Sequence, residues 1–244
     1  MNKIALFVMV MAVSLTNPVM SSEDNGMDKV KEILSKIVPN EKPDAIIRSP
    51  VPGLFEVTYG PEIFYVSGDG RFLLQGDVVD LELQKNITEV KRSAGRYKLI
   101  GSIDPATMII FSPKEVKHVV TVFTDIDCTY CRKMHKEIDQ YLQQGIEIRY
   151  LAYPRSGLNT PSYYKAVSVW CAKDRREALT ISKAGGQVED KTCDNPVQAH
   201  MTMGTRVGVT GTPTLVLEDG SVLPGYVPAQ QLNSLLAERS ATEN

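Results

Sequence analysis

Cys128-Thr129-Tyr130-Cys131 is the most informative part of the chain, because it stands between a strand-like run and a helix-like run. Before it lies His118-Val119-Val120-Thr121-Val122-Phe123, rich in the β-branched and aromatic residues typical of buried strands. After it, apolar residues recur at helical spacing, and Gly145 is expected to stop the helix. These residues are Cys131, Met134, Ile138, Tyr141 and Leu142. The pattern predicts a strand that leads into a helix carrying two cysteines.

The position of Cys128 at the start of this helix favours a reactive thiolate. Unpaired backbone N–H groups and the positive end of the helix dipole face a residue placed there. Both favour thiolate over thiol, and the thiolate is the reactive form of cysteine. Cys131 follows one helical turn later, close enough to close a small disulfide ring. The sequence therefore predicts a site of dithiol–disulfide exchange, and we expect no cofactor and no metal.

Residues 1–21 have the pattern of a secretory signal peptide, with Lys3 as a minimal positive segment. The apolar run Ile4–Leu15 is short for a membrane span, although an N-terminal lipid-facing anchor is the alternative. Val19–Ser21 predicts cleavage after about Ser21. The chain of 244 residues is 43% hydrophobic with a formal net charge of −2. This composition predicts a packed, exported protein and argues against nucleic-acid binding.

All four cysteines follow the predicted signal peptide, and an even number in an exported protein suggests disulfides. If Cys128 and Cys131 form the exchange pair, Cys171 and Cys193 remain to form a structural disulfide. In the chain-entropy model, a disulfide that closes a loop of this size stabilises the protein by about 3 kcal/mol. The alternative is that Cys171 and Cys193 form a second redox pair.

Residues 22–86 predict a small N-terminal α+β domain. It opens with an amphipathic helix that ends at Pro39 and whose apolar face is Val30, Ile33, Leu34, Ile37 and Val38. Strand-like runs separated by glycine turns follow: Leu54–Tyr59, Ile63–Val66, Phe72–Gln75 and Val78–Leu83. A unit of roughly 65 residues is near the lower limit for independent stability. We therefore expect its strand edges to pair with a second copy.

Residues 87–104 predict a connecting helix, with Thr88 as its N-cap. Its apolar positions are Val90, Ala94, Tyr97 and Ile100, and its solvated positions are Lys91, Arg92, Arg96 and Lys98. Gly95 weakens such a helix by about 1 kcal/mol relative to alanine, which favours a hinge. The alternative is an ordinary surface helix of either domain.

Residues 105–244 predict one α/β domain with a helical insertion. Its predicted strands are Met108–Phe111, Val116–Thr124, Ile146–Tyr153, Pro213–Leu217 and Val222–Leu223. Four helices are predicted besides the cysteine helix. One begins at Pro161, with Asn159 or Thr160 as its cap, and another begins at Asn195. The other two span Arg175–Lys183 and, at the end of the chain, Pro228–Glu238.

Four segments of this domain resemble the bacterial DsbC/DsbG family of periplasmic disulfide isomerases. They are Thr121–Asp125 leading into Cys128–Cys131, Arg149–Arg155, Trp170–Lys173, and Gly208–Pro213 followed by Leu223–Tyr226. Their order, behind a signal peptide, is far more specific than a lone pair of cysteines. The resemblance implies a thioredoxin fold with an inserted helical subdomain, preceded by an N-terminal dimerisation domain and a linker helix.

The resemblance also implies the roles of the site residues. Cys128 matches the exposed nucleophile of the family and Cys131 its resolving thiol. Thr212-Pro213 matches the loop whose proline is cis and faces the cysteines. Thr129, Tyr130, Thr212 and Pro213 are predicted to contact substrate. Family members usually have glycine or another small residue at the position of Thr129, so the redox potential does not carry over.

The partners implied by the resemblance are misoxidised exported proteins, a second copy of the chain and a membrane thiol reductant of the DsbD type. Near the nucleophile, Asp127 opposes a thiolate unless it faces solvent or caps the helix. Arg132, Lys133 and His135 are positioned to offset it, and His135 is expected to be a solvated helix residue.

Three other functions compete with isomerisation. A zinc site would combine Cys128 and Cys131 with two further ligands from Cys171, Cys193, His118, His135 and His200, but the spacing offers no second close pair. A chaperone-like protein would bind unfolded chains in a dimer cleft. A dithiol oxidase would use the same cysteines, so the oligomeric state distinguishes it: a monomer favours the oxidase and a dimer the isomerase.

Overall fold

The computed structural model describes residues 22–242, so the predicted signal peptide lies outside the described residues. The helices in this range are α1 (Ser22–Ile37), α2 (Ile87–Gly101), α3 (Thr129–Lys136), α4 (Ile138–Gln143), α5 (Pro161–Trp170), α6 (Arg175–Lys183), α7 (Val197–Val207) and α8 (Ala229–Thr242). The strands are β1 (Ala45–Arg48), β2 (Leu54–Tyr59), β3 (Glu62–Ser67), β4 (Leu73–Leu74), β5 (Val79–Asp80), β6 (Lys85–Asn86), β7 (Ile109–Phe111), β8 (His118–Thr124), β9 (Ile146–Ala152), β10 (Thr214–Val216) and β11 (Val222–Pro224). None of these helices is both long and apolar enough to span a bilayer.

The N-terminal residues form a four-stranded antiparallel sheet, in the order β1-β2-β3-β4, covered by α1. Val30 and Leu34 of α1 pack on Phe55, Val57 and Val66 of the sheet. Strand β1 was not predicted, because its four residues are too few to establish a period. The predicted run over residues 78–83 is largely turn, and only its first part pairs, with β6.

The apolar face predicted for α1 is wrong at its last turn. Ile37 is 64% exposed, although Val30 and Leu34 on the same face are buried. The isolated chain therefore leaves an apolar side chain of this helix in solvent.

Helix α2 begins two residues earlier than its predicted cap implies. The side chain of Asn86 accepts a hydrogen bond from the backbone N–H of Glu89 at 2.9 Å, which makes Asn86 the N-cap. Thr88 is instead buried inside the helix, where its hydroxyl bonds to Tyr65 and to the backbone N–H of Val78. The prediction that Thr88 caps the helix was therefore wrong.

The predicted faces of α2 are also largely wrong. Val90 and Tyr97 are 48% and 61% exposed. The side chain of Arg96 is only 12% exposed, and it donates to the carbonyl oxygen of Val207 at 3.1 Å. Arginine has enough hydrogen-bond donors to be buried between elements whose carbonyl groups need partners. Helix α2 thus binds to the C-terminal domain through a side chain that was expected to be solvated.

Gly95 of α2 marks a close approach between helix and sheet. A Cβ atom at this position would lie 2.7 Å from the carbonyl oxygen of Gly60, in the turn between β2 and β3. Next to it, Lys91 pairs with the carboxylate of Glu56 at 2.6 Å, and that carboxylate is buried. These contacts fix α2 against the N-terminal sheet.

The C-terminal domain is built on a five-stranded sheet in the order β11-β10-β8-β9-β7. Strands β8 and β9 are parallel, and the other neighbours are antiparallel. Helices α5, α6 and α7 are inserted between β9 and β10. The core of the domain includes Val120, Val122, Ile148, Trp170 and Leu215. The parallel pairing places the C-terminal end of β8, where the cysteine helix begins, beside the end of β9.

The cysteine helix is broken, whereas one continuous helix was expected. Helix α3 ends at Lys136, Glu137 adopts φ −99° and ψ 15°, and α4 begins at Ile138. The break lets Glu137 bond to the hydroxyl of Tyr226. Helix α6 has the predicted bounds, and Thr160 caps α5.

Candidate active site

The two cysteines lie where β8 meets α3. Cys128 is the N-cap of α3, and its Sγ accepts a hydrogen bond from the backbone N–H of Cys131 at 3.4 Å. Both are free thiols, and they are 3% and 1% exposed respectively. Cys128 is therefore buried, and the exposure that the resemblance implied for it is not observed. The strand ends at Thr124, so the sulfur of Cys128 is held at the helix N-terminus, where backbone N–H groups stabilise negative charge.

The loop before β10 lies against Cys128. The Thr212-Pro213 peptide bond is cis, and Pro213 is buried. The thiol of Cys128 donates to the carbonyl oxygen of Thr212 at 3.1 Å. The hydroxyl of Thr212 is buried without a hydrogen-bond partner among the described residues. The structure therefore brings together two pairs of predicted site residues that are more than eighty positions apart in sequence.

The two thiols differ strongly in acidity. The pKa of Cys128 is lowered to about 5, chiefly by a hydrogen bond from the Cys131 side chain and against the opposing effect of burial. The Thr212 side chain, the backbone N–H of Cys131 and the charge of Arg155 also contribute to this lowered pKa. Burial raises the pKa of Cys131 above its ordinary value, as does its hydrogen bond to Cys128. Cys128 is therefore the thiolate at neutral pH, and Cys131 remains protonated.

A buried carboxylate beneath the cysteines organises the loops of the site. Asp125 accepts hydrogen bonds from the Ser162 hydroxyl at 2.7 Å, from the N–H of Asp127 at 2.9 Å, and from the backbone and Nε of Arg155, both at 3.1 Å. Burial alone would raise the pKa of Asp125, but these bonds outweigh it and hold the pKa below its ordinary value. Asp125 thereby fixes Arg155, whose charge favours the Cys128 thiolate.

A buried lysine lies on the other side of the pair. Lys183 is only 4% exposed, and its Nζ donates to the hydroxyl of Thr124 at 2.8 Å and to the carbonyl oxygen of Asp125 at 3.4 Å. Burial lowers the pKa of Lys183 to about 8, although the charges of Cys131 and Cys128 oppose this. Sequence reasoning missed Lys183, because a lysine in the last turn of a helix is ordinarily solvated.

The predicted roles of two neighbouring residues need correction. Asp127 does not cap α3, because Cys128 does; its carboxylate pairs with Arg132 at 3.2 Å and with Lys165 at 2.9 Å. His135 is buried rather than solvated, and it contacts the hydroxyl of Thr180 at 2.9 Å. Burial lowers the pKa of His135 to about 4, so its neutral ring cannot offset the charge of Asp127.

Two tyrosines form the exposed side of the site. Thr129 and Tyr130 are exposed, and the Tyr130 ring stacks on Tyr226 with the centroids 6.5 Å apart. The ammonium of Lys133 lies 4.4 Å from the centroid of the Tyr226 ring. Tyr226 belongs to a segment that carries the resemblance, but its place beside Tyr130 depends on long-range packing that no local pattern reveals.

The remaining cysteines are bonded to each other. Cys171 and Cys193 form a disulfide with an S–S distance of 2.05 Å, across a separation of 22 positions. They are therefore unavailable to the zinc site considered above. His200 is also engaged, since its ring contacts the backbone N–H of Ala152 and the hydroxyl of Thr107.

Comparisons with known proteins identify the family. A thioredoxin-like domain model matches residues 105–240, and the disulfide bond isomerase protein N-terminal domain matches residues 21–89. The thiol:disulfide interchange protein DsbC of Dickeya dadantii is 38% identical over 194 residues, which cover 80% of each chain. The chain belongs to the DsbC family. DsbC of Escherichia coli K12 is 34% identical over 190 residues, which cover 78% of this chain and 79% of that protein.

A solved structure gives the same result for the fold of part of the chain. A disulfide interchange protein from Neisseria gonorrhoeae aligns with a TM-score of 0.50 and 30% identity, covering 56% of this chain and 97% of that one. The predicted fold class, a thioredoxin-like α/β domain preceded by a small α+β domain, is confirmed. The family assigned from four sequence segments is confirmed as well.

Proposed function

We propose that this DsbC family member is a thiol:disulfide isomerase that reduces and reshuffles incorrect disulfides in exported proteins. The observation that carries the proposal is the inequality of the two thiols. The pKa of Cys128 lies at about 5, while that of Cys131 is raised. At neutral pH, the Cys128 thiolate can therefore attack a disulfide, whereas the Cys131 thiol stays protonated. Relatives named thiol:disulfide interchange proteins support the same chemistry.

In the proposed reaction, the Cys128 thiolate attacks one sulfur of a wrong substrate disulfide. The substrate S–S bond breaks, a Cys128–substrate disulfide forms, and the second substrate sulfur leaves as a thiolate. That thiolate attacks another disulfide of the substrate, and a substrate thiolate finally displaces Cys128. The low pKa of Cys128 makes it a good leaving group, so the mixed disulfide is short-lived.

Cys131 is proposed to act when the substrate stalls. It attacks the sulfur of Cys128, a Cys128–Cys131 disulfide forms, and the substrate leaves reduced. The enzyme is then oxidised and needs a reductant, which we propose to be a membrane thiol donor of the DsbD type. The raised pKa of Cys131 supports this role, because its thiol stays protonated while the Cys128 thiolate attacks the substrate.

Substrate is proposed to bind at Thr129, Tyr130, Thr212 and Pro213. The stacked rings of Tyr130 and Tyr226 offer an apolar surface beside the reactive sulfur. The backbone of Thr212 can pair with an extended substrate segment, a form of strand addition that gives affinity without sequence specificity. Such binding suits an enzyme that acts on many unrelated chains.

The proposed organisation is a signal peptide over residues 1–21, a dimerisation domain over 22–86, a linker helix over 87–104 and a catalytic domain over 105–244, acting in the periplasm. Edge strand β4 supports dimerisation. Its residues Leu73 and Leu74 are 54% and 46% exposed, and Leu81 and Leu83, a few positions later in the chain, are 86% and 70% exposed. An open strand edge next to apolar side chains is a template for pairing with a second copy.

The test is reactivation of a scrambled multi-disulfide protein in glutathione buffer. We expect the wild-type protein to restore activity and Cys128→Ser to abolish it. If the wild type oxidises a reduced substrate but cannot rescue the scrambled one, the protein is a dithiol oxidase. If it shows no thiol activity and only prevents aggregation, it is a binding protein.

The role of the N-terminal domain is tested by Leu74→Lys, with Leu158→Lys as a matched control on an exposed leucine of the C-terminal domain. Light scattering should give a dimer for the wild type and the control, and a monomer for Leu74→Lys. The monomer should retain oxidation and lose reactivation of the scrambled substrate. A monomeric wild-type protein would contradict the proposed dimer.

A further inference from the structure

Lys183 is a buried cation that the proposed mechanism does not use. Its side chain is 4% exposed, and its hydrogen bonds go to a hydroxyl and a carbonyl oxygen rather than to a carboxylate. Burial of an ammonium group is strongly unfavourable unless its surroundings compensate. A lysine in this environment therefore suggests a function beyond packing.

The surroundings of Lys183 connect it to the resolving cysteine. Thr124, the last residue of β8, accepts a hydrogen bond from Lys183 Nζ at 2.8 Å. The same Thr124 side chain also interacts with the sulfur of Cys131 and favours its thiolate. The Thr124 hydroxyl, which can both donate and accept, thus bonds to the amine and also affects the ionisation of the thiol.

The titratable groups that face Lys183 come from several elements. They are Cys128, Cys131, Arg132 and His135 from α3, Asp125 at the end of β8, and Tyr150 from β9. The histidine is neutral because burial lowers its pKa to about 4, and burial raises the pKa of the tyrosine. Apart from the fixed charges of Asp125 and Arg132, the groups that change charge during the reaction are the two cysteines.

We propose that Lys183 exchanges a proton with Cys131 through the hydroxyl of Thr124 during the step in which Cys131 displaces a substrate from Cys128. The inference rests on the proposed function, because it assigns a residue to its second half-reaction. Lys183 acts through Thr124 and is therefore a positioning residue. It controls when the resolving thiol becomes a nucleophile.

The charge of Cys128 gives this exchange its timing. In the reduced enzyme, the Cys128 thiolate favours the ammonium form of Lys183. When Cys128 enters a mixed disulfide, that negative charge disappears, so Lys183 releases its proton to solvent more readily. The neutral amine then accepts the proton of Cys131 through Thr124. The Cys131 thiolate attacks Cys128, the Cys128–Cys131 bond forms, and the substrate sulfur leaves with the electron pair of the broken bond.

The two half-reactions can be separated with Ellman's disulfide, which releases a coloured thiolate at each step. The first release reports the attack by Cys128, and the second reports displacement of the bound thionitrobenzoate by Cys131. Stopped-flow records across the pH range would be compared for wild type, Lys183→Met and Thr124→Val. Lys165→Met is the matched control, because Lys165 is an exposed lysine that pairs with Asp127.

Assistance to a reacting proton contributes about 10²–10⁴-fold to a rate, so Lys183→Met should slow the second release by at least about 100-fold. The first release should stay near the wild-type rate at neutral pH, because Cys128 is already ionised there. The wild-type rate of the second release should level off once Lys183 is neutral, whereas in Lys183→Met it should keep rising with pH. A merely structural role would not change the shape of this profile. Thr124→Val should slow the second release and change its pH profile in the same way as Lys183→Met. The double variant should be little slower than either single variant.

A second release that keeps its wild-type rate and pH profile in both variants would overturn the inference. Should Lys183→Met fail to fold, as judged by near-ultraviolet circular dichroism, Thr124→Val decides alone, since it leaves the lysine in place. If the wild-type protein itself shows no first release, the proposed function fails and the inference fails with it. A normal first release with an unaltered second release in the variants refutes only the role of Lys183.

Discussion

The hydroxyl of Thr212 gives the sharpest test of how this site stabilises a thiolate. In the thiol form, Cys128 donates to the carbonyl oxygen of Thr212, and the hydroxyl of the same residue is buried without a partner among the described residues. When Cys128 ionises, its sulfur becomes an acceptor, and the Thr212 side chain lowers its pKa. Valine keeps the branched shape and lacks the hydroxyl, so Thr212→Val removes this donor alone.

The size of the effect follows from the strength of one hydrogen bond. A bond to a charged group contributes about 1.5–3 kcal/mol, and one pH unit corresponds to about 1.36 kcal/mol. We therefore expect Thr212→Val to raise the pKa of Cys128 from about 5 by about 1–2 pH units. The pKa is read from the rate of alkylation by iodoacetamide across pH and from thiolate absorbance. Because the pKa of Cys131 is raised, only Cys128 titrates in the acid range.

Stability provides a second readout. The lowered pKa of Cys128 gives the reduced protein stability that is present above the unfolded-state pKa and is lost as the pH falls through about 5. Thr212→Val should diminish this loss. It should also stabilise the protein when Cys128 is uncharged, because an unpaired buried hydroxyl costs about 1–3 kcal/mol. The exposed Thr210 of the same loop supplies the control, Thr210→Val. Equal Cys128 pKa values in the two variants would refute this reasoning.

Three further predictions concern stability, each measured by urea unfolding. Gly95→Ala should destabilise the protein, because its Cβ would lie 2.7 Å from a backbone carbonyl oxygen, and this clash should outweigh the helix preference of alanine, which is about 1 kcal/mol. The control Gly101→Ala has open space around its Cβ and should not destabilise the protein. Equal urea midpoints for the two variants would contradict the clash. Cys193→Ser should cost about 3 kcal/mol, and reduction of the wild type should cause the same loss. Asp125→Asn should destabilise most at neutral pH and least in acid, because the lowered carboxylate pKa gives stability that is lost as the pH falls through it; a pH-independent difference would argue against this.

The parts of the fold that were predictable are those set by local patterns. The strand before Cys128 has a continuous run of β-branched residues, and α6 has a helical period closed by glycines, so both were located correctly. The break between α3 and α4 was not predictable, because the apolar period continues through it. Glu137 leaves the helix for a partner, Tyr226, that lies 89 positions away.

The chemistry of the site was predictable only in part, for the same reason. Cys128 and Cys131 are only three positions apart in sequence, and their arrangement at a helix N-terminus follows from local rules. The environment that separates their pKa values comes in part from Thr212 and Arg155, which are far from the cysteines in sequence. His135 was expected in solvent because polar residues surround it in the chain, yet it is buried. Burial of a polar side chain depends on what other elements bring to it, and a single sequence does not contain that information locally.

The helical insertion supplies polar and charged side chains to the site and also covers the sheet. Helix α5 supplies Ser162, which donates to the carboxylate of Asp125 at 2.7 Å. Helix α6 supplies Thr180, which contacts the ring of His135, and Lys183, which donates to the hydroxyl of Thr124. The strand–helix junction and the Thr212 loop therefore surround Cys128, while α6 supplies the lysine that we propose acts on Cys131. Because separate parts of the chain provide these two environments, substitutions in α6 should change the release of substrate while leaving the initial attack intact.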